Sequence, residues 1–166
     1  MGTSEMTPVS GTETRITVDP DWVDYNGHMN LAYYVLAFDK ATDNFYDDLG
    51  IGLAYREQMN SSMFTLAVNV DYIQEVFVGD ELRITTQLLH CDTKRMRYFH
   101  HMYQGAPEHL VATNECFAVH VDMDLRKSTE FPQPARERID AMLSLHQTLP
   151  VPERAGRVLG AAPRKN

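Results

Sequence analysis

Asp24-Tyr25-Asn26-Gly27-His28-Met29-Asn30, followed at once by the apolar stretch Leu31 to Leu49, is the part of the chain on which the fold turns. Its first residues place a carboxylate, an amide and an imidazole at alternate positions, Asp24, Asn26 and His28. Tyr34, Phe38, Ala41, Phe45 and Leu49 then recur at three- and four-residue steps, which is one apolar stripe of a helix. Leu31 and Val35 widen the stripe, so the helix is expected to be mostly buried. Asn30 is placed to cap its start. Gly50 fits the position just past its last turn. An acid, two polar side chains and the positive end of a helix dipole are thus delivered together. That set suits attack on a carbonyl and stabilisation of the oxyanion that forms.

Upstream, Arg15 to Val18 alternates polar and apolar and predicts a short strand that Pro20 ends. Residues 1–12 read as a disordered leader. Downstream, after a linker at 51–62, Met63 to Val78 is rich in β-branched and aromatic residues and predicts a long strand. Gly79-Asp80 is a turn. Glu81 to Cys91 is a second long strand, with Leu82, Ile84, Thr86 and Leu88 alternating. Asp92-Thr93-Lys94 turns the chain into a strand at Arg95 to Gln104, and Gly105-Ala106-Pro107 turns it into another at Leu110 to Met123. This is one strand, one long helix and four antiparallel strands, an α+β arrangement without βαβ units. The single helix must therefore pack across the concave face of the sheet. Beyond Lys127, Ala135 to Leu149 predicts a short amphipathic helix and the proline-containing 150–166 a loose tail.

The chain has 166 residues, which suits one domain, and a net charge of −8, which argues against nonspecific nucleic-acid binding. No run approaches the roughly 20 apolar residues of a membrane span, and the N-terminus has no basic-then-apolar signal pattern. Two cysteines, Cys91 and Cys116, exclude a disulfide framework and make a reducing cytoplasm the simplest setting. No G-x-S-x-G elbow, G-x-G-x-x-G turn or Walker loop occurs, so no nucleotide cofactor is expected. His100 and His101 are adjacent in a strand and point to opposite faces, so they predict no metal site.

Val23 to Asn30 before a long helix, with Val70-Asp71-Tyr72-Ile73 and Val78-Gly79-Asp80-Glu81-Leu82 later, resembles the hotdog-fold acyl-CoA thioesterases of the 4-hydroxybenzoyl-CoA and short-chain acyl-CoA type. The resemblance covers residues 13–127, leaving 128–166 as a C-terminal extension. The D-x-N-x-H-x-N spacing is also similar to plant-type acyl-ACP thioesterases. Trp22 to Asn30 resembles the thioesterases of carnitine and betaine degradation. The resemblance implies a hotdog fold, in which one long central helix is wrapped by an antiparallel sheet. It implies an acyl-CoA substrate, at least a dimer, and a site at the subunit interface. Asp24 would be the catalytic carboxylate, as nucleophile or general base. Asn26 and His28 would have catalytic roles, and the backbone N–H near Leu31 would polarise the thioester carbonyl. Hotdog hydratases instead carry D-x-N-P-x-H, with Asp and His one residue further apart than Asp24 and His28. A non-catalytic acyl-CoA-binding hotdog protein would need no carboxylate at Asp24.

Several of these residues also have a plainer reading. Asp24 and Asn26 suit a turn around Asn26-Gly27. A protonated His28 is disfavoured beside a helix N-terminus, so a neutral imidazole is expected there. Asn30 reads as a cap rather than a catalyst. Asp39, Asp43 and Asp47 share one helix face and read either as a solvated strip or, through Asp43, as an acid that meets a cationic acyl group. For a betainyl group, Trp22 or Tyr25 would supply a ring face to the trimethylammonium. Lys94-Arg95 is a basic pair placed either in a solvated turn or against coenzyme A phosphates.

Overall fold

The structure, a computed structural model, describes residues 12–162. The expected leader lies outside this range except for Thr12, which is buried and donates through Oγ1 to the Asp48 carboxylate. In chain order the elements are β1 (Glu13–Thr17), a 3-10 turn (Pro20–Trp22), α1 (Leu31–Asp48), α2 (Leu53–Met59), β2 (Ser61–Tyr72), β3 (Glu81–Cys91), β4 (Arg95–Gln104), β5 (His109–Asp122), β6 (Lys127–Ser128) and α3 (Gln133–His146). The strands form one antiparallel sheet in the order β1-β3-β4-β5-β2, with the two-residue β6 paired to β5. The four long strands do not pair in simple succession as the sequence suggests: only β3, β4 and β5 do so, while β2 crosses to one edge beside β5 and β1 closes the other edge against β3.

Helix α1 packs on this sheet through the predicted stripe. Tyr34, Phe38, Ala41, Phe45 and Leu49 are all buried. Toward the N-terminal half of α1, Tyr34, Ala37, Phe38 and Ala41 meet Val18, Leu82, Ile84, Met102 and Ala112. Toward its C-terminal half, Phe45, Tyr46 and Leu49 meet Leu88, Met96, Tyr98 and Cys116, and Ile139 of α3 seals that end. Gly50 follows the C-cap with φ of +67°, a conformation that a Cβ would strain.

The widening of the stripe is not observed. Leu31 is 62% exposed, and Val35 and Leu36 are each 37% exposed. The helix presents them beyond the area that one sheet can cover. The predicted strand to Val78 stops at Tyr72. Ile73 and Gln74 then both donate to the Val111 carbonyl, and the chain leaves the ladder as a loop to Asp80. The linker contains α2, whose seven residues bury only Tyr55 and so leave little periodic signal. The expected loose tail is instead pinned through residue 157. Asp71 of β2 pairs with both Arg154 and Arg157, Asn69 donates to the Arg157 carbonyl, and the Gly156 N–H donates to Glu115. His100 and His101 do face opposite ways. His100 is buried between Thr42 and Thr86, at 2.9 Å from each, whereas His101 lies by Phe99 and Tyr103.

Candidate active site

The loop from Asp24 to Asn30 is held by its own backbone before any side chain acts. Val23 and Met29 form a bridge, the Asp24 N–H donates to His28, and the Gly27 N–H donates to the Asp24 carbonyl. Gly27 sits at φ of +85°, which explains a glycine at a point where a Cβ would meet nothing within 4 Å. The Met29 N–H donates to Val76 and the Asn30 N–H to Trp22, both at 2.9 Å, which ties the loop to the β2–β3 connection and the 3-10 turn.

This scaffold fixes the Asp24 carboxylate from two sides. One oxygen accepts the Asn26 N–H at 2.8 Å, and the other accepts the Asn30 side-chain amide at 3.2 Å. Asn30 also caps α1, its Oδ1 accepting the Ala32 N–H at 3.0 Å and its carbonyl accepting the Tyr33 N–H. A single residue thus orients the acid and organises the helix start. The sequence reading of Asn30 as a cap alone missed the first of these tasks. With Ala32 and Tyr33 taken, the Leu31 N–H is the donor left open in the first turn among the described residues, where the helix dipole is most positive. The Asn26 side chain is exposed, and its link to Asp24 runs through backbone.

Beside the helix start lies a cavity of about 340 Å³. His28 lines it from the loop, Leu31 and Tyr34 from the helix, and Tyr72, Gln74 and Glu75 from the end of β2 and the segment after it. Asp24 is outside this lining and reaches its rim through Asn30, the residue before Leu31. His28 packs its Nδ1 at 3.1 Å from the Met29 carbonyl and its Nε2 at 3.7 Å from Glu75. The Tyr72 hydroxyl donates to the Leu31 carbonyl at 3.3 Å, and Tyr34 to that of Gln74 at 3.0 Å. Burial raises the Tyr34 and Tyr72 phenols above their ordinary range, so both are neutral donors.

The other sequence candidates lie apart from this centre. Trp22 stacks on Tyr33 with centroids 5.7 Å apart, and the chain's own Lys40 stands 5.4 Å over its ring. Tyr25 is 98% exposed at the loop tip. Asp43 is three turns along α1, about 18 Å from Leu31 at 1.5 Å per residue; burial, then Asp39 and Asp47, raise its carboxyl above the ordinary range. Lys94 and Arg95 are at the opposite end of the molecule, where the turn bonds to Phe131. They are used locally, Arg95 by Asp92 and Lys94 by Ser128. Within one chain the structure therefore joins Asp24, Asn30, His28 and Leu31, and leaves Trp22, Tyr25, Asp43, Lys94 and Arg95 outside.

A profile of the Thioesterase-like superfamily matches residues 18–139. The chain belongs to this superfamily. It is 37% identical over 144 residues to a betainyl-CoA thioesterase of Pseudomonas aeruginosa, covering 87% of this chain and 91% of that one. It is 34% identical to the L-carnitine dehydrogenase/betainyl-CoA thioesterase of Ruegeria pomeroyi, covering 96% of this chain but 32% of that longer protein. A Staphylococcus aureus protein solved in complex with CoA superposes with a TM-score of 0.85 at 26% identity, covering 96% of this chain and all of that one. The hotdog fold and the acyl-CoA thioesterase class expected from the sequence are borne out.

Proposed function

We propose that this thioesterase hydrolyses betainyl-CoA, or a comparably short acyl-CoA, as a homodimer. The reading is carried by one observation: a doubly clamped carboxylate beside an open helix N–H, next to a small cavity. With both Asp24 oxygens already accepting hydrogen bonds, the group is better fixed as a base than free as a nucleophile. Asp24 takes a proton from water as the water oxygen bonds to the thioester carbon. The carbonyl oxygen becomes an oxyanion stabilised by the Leu31 N–H and the helix dipole. Collapse breaks the C–S bond, and the departing thiolate receives the proton from Asp24. The products are the free acid and coenzyme A, with no cofactor. Bulky Tyr34 and Phe38 fill the space beneath, which favours a short acyl chain, and the relatives' names point to betainyl.

The dimer follows from an uncovered apolar surface. Beyond the irregularity at Thr65/Ala67, Val68, Val70 and Tyr72 share one face of β2, and Val70 packs on the core, so this is the helix side. Val68 and Tyr72 are each 48% exposed there, beside the exposed Leu31 and Val35. Among the described residues no strand pairs with the outer edge of β2, which is twelve residues long. A second copy covers Val68, Val35 and this edge, and roofs the cavity so that Leu31 and Tyr72 face an enclosed space. The cytoplasm is the compartment we assign, since Cys91 and Cys116 are free thiols.

Coenzyme A release over an acyl-CoA panel tests the reaction: betainyl-CoA is expected to give the highest kcat/KM, and a palmitoyl-CoA optimum would overturn the short-chain reading. Val68→Asp tests the assembly, with a monomer by light scattering and lost turnover as the expected result. An active wild-type monomer would overturn it. Single turnover in oxygen-labelled water should put label in the acid and none in Asp24; label in Asp24 would make it the nucleophile.

A further inference from the structure

The cavity beside the helix start has a composition that its proposed reaction does not require. Thioester hydrolysis needs a base, an oxyanion donor and apolar space. This cavity also carries two phenol rings and a carboxylate. Tyr34 and Tyr72 meet edge to face, centroids 5.2 Å apart and planes at 88°. Tyr34 is buried and anchored through Gln74, so it is the fixed backing. Tyr72 is half exposed and anchored through Leu31, so it is the ring that offers a face. Glu75 stands on the same wall with its side chain 64% exposed. Among the eight lining residues Glu75 is the one carboxylate, and none is Lys or Arg. Two orthogonal aromatic rings and one acid, without a competing cation, form a receptor for a positive charge that cannot donate hydrogen bonds.

Trp22 and Asp43 do not provide this receptor. The Trp22 ring already carries the Lys40 ammonium at 5.4 Å, and a second cation on it would be repelled. Asp43 is three turns away along α1. Resting on the betainyl reading, we propose that Tyr72, backed by Tyr34, and Glu75 bind the trimethylammonium group of the acyl chain and set the preference for a cationic over a neutral acyl group. The alternative role for Glu75 is to position His28, whose Nε2 is 3.7 Å away. That role would affect every substrate equally.

The test compares betainyl-CoA with 3,3-dimethylbutyryl-CoA, which has the same shape with a carbon in place of the charged nitrogen. The wild-type protein should prefer betainyl-CoA in kcat/KM. Tyr72→Leu and Glu75→Gln should each reduce that preference by about tenfold, for the ring a size between an exposed and a desolvated cation–π contact. The preference is the ratio of the two kcat/KM values, so a loss common to both esters does not enter it. Tyr72→Phe keeps the ring and should keep the preference. Trp22→Leu should lower both substrates alike. If the wild type prefers betainyl-CoA but Tyr72→Leu and Glu75→Gln lower both esters equally, the receptor assignment is wrong and the betainyl reading stands. If Trp22→Leu alone removes the preference, the receptor is Trp22. If the wild type shows no preference between the two esters, the betainyl reading itself fails, and this inference with it.

Discussion

The two ends of helix α1 are built to opposite purposes. At its C-terminal end, Phe45, Tyr46 and Leu49 are closed in by Tyr98, Cys116 and Met96 of the sheet and Ile139 and Ala135 of α3. Burial pushes the Cys116 thiol up to about 12 and Cys91 up to about 11, so neither is a nucleophile there. At the N-terminal end nothing comparable among the described residues covers the helix on the side away from the sheet. Leu31, Val35 and Leu36 are exposed, the first turn has a donor to spare, and a cavity opens beside it. One amphipathic helix thus supplies stability at one end and a reaction site at the other. The division is set by which neighbours the chain folds back to provide. Helix α3 of the C-terminal extension covers the sealed end, where Arg138 donates to the Leu49 carbonyl at 2.7 Å and to the Gly50 carbonyl at 3.1 Å.

The strongest way to break this division is at Asp24. Asp24→Asn keeps the shape of the side chain but cannot take a proton from water. It is expected to lower kcat by at least ~10², the lower range for a general base, with the thermal midpoint nearly unchanged. Steady-state coenzyme A release and a melting curve on the same preparation check both halves. A variant that turns over like the wild type would make Asp24 a turn residue. His28→Ala should cost less than Asp24→Asn, because His28 touches Glu75 and a backbone carbonyl rather than the carboxylate. The reverse order would transfer the base role to His28.

Asn30 offers a finer separation of the open end's two tasks. Asn30→Ser keeps an oxygen that can accept the Ala32 N–H, since serine is also a good cap. It loses the amide that holds the Asp24 carboxylate at 3.2 Å. Stability should therefore change by a few tenths of a kcal/mol, while kcat falls by roughly tenfold, as expected when a neutral hydrogen bond to a charged group is removed. Asn30→Ala should add a loss of about 1 kcal/mol in stability. Equal kcat in the serine variant and wild type would mean that the Asn26 N–H alone orients the acid.

The motif around Asp24 was legible because local chemistry sets it: a turn at Asn26-Gly27, a cap at Asn30 and the helical stripe behind them lie within one continuous stretch of the chain. The succession of strands along the chain followed from alternation and turn residues for the same reason, but their order in the sheet did not, because the pairing of β2 with β5 rather than β3 is a contact between distant segments. Other features were not legible, because they depend on contacts between distant residues. Glu75 lay in what reads as a strand, and only the exit of the chain from the ladder after Tyr72 turns it toward His28. Tyr34 reads as ordinary core stripe, yet its hydroxyl reaches Gln74, forty residues on in sequence. Trp22 was a sound choice of ring on composition, but the position of Lys40 is a consequence of the helix path. The tail looked loose from its prolines, although Arg154 and Arg157 find Asp71 and fix it.

The smallest expected effect concerns the covered middle of α1, and separates stability from chemistry by pH. His100 is fully buried between Thr42 and Thr86, and burial, with His101 beside it, pushes its imidazole down to about 3. Burial pushes His101 down to about 4. In the unfolded chain both titrate near the ordinary value of about 6.5. Between these limits the unfolded state binds protons that the folded state refuses, so the stability they contribute is complete above pH ~6.5 and is lost as pH falls toward 3. The thermal midpoint should decline steadily on acidification from pH ~6.5, and from about pH 4.5 downward the carboxylates Asp92 and Glu108, held below their ordinary range in the folded protein, add to the loss. His100→Gln keeps groups able to bond both threonines and removes one titrating site. It should lower the midpoint at neutral pH but flatten its decline between pH 6 and pH 4. A decline as steep as the wild type's would show that His100 takes up its proton without unfolding the protein around Thr42 and Thr86.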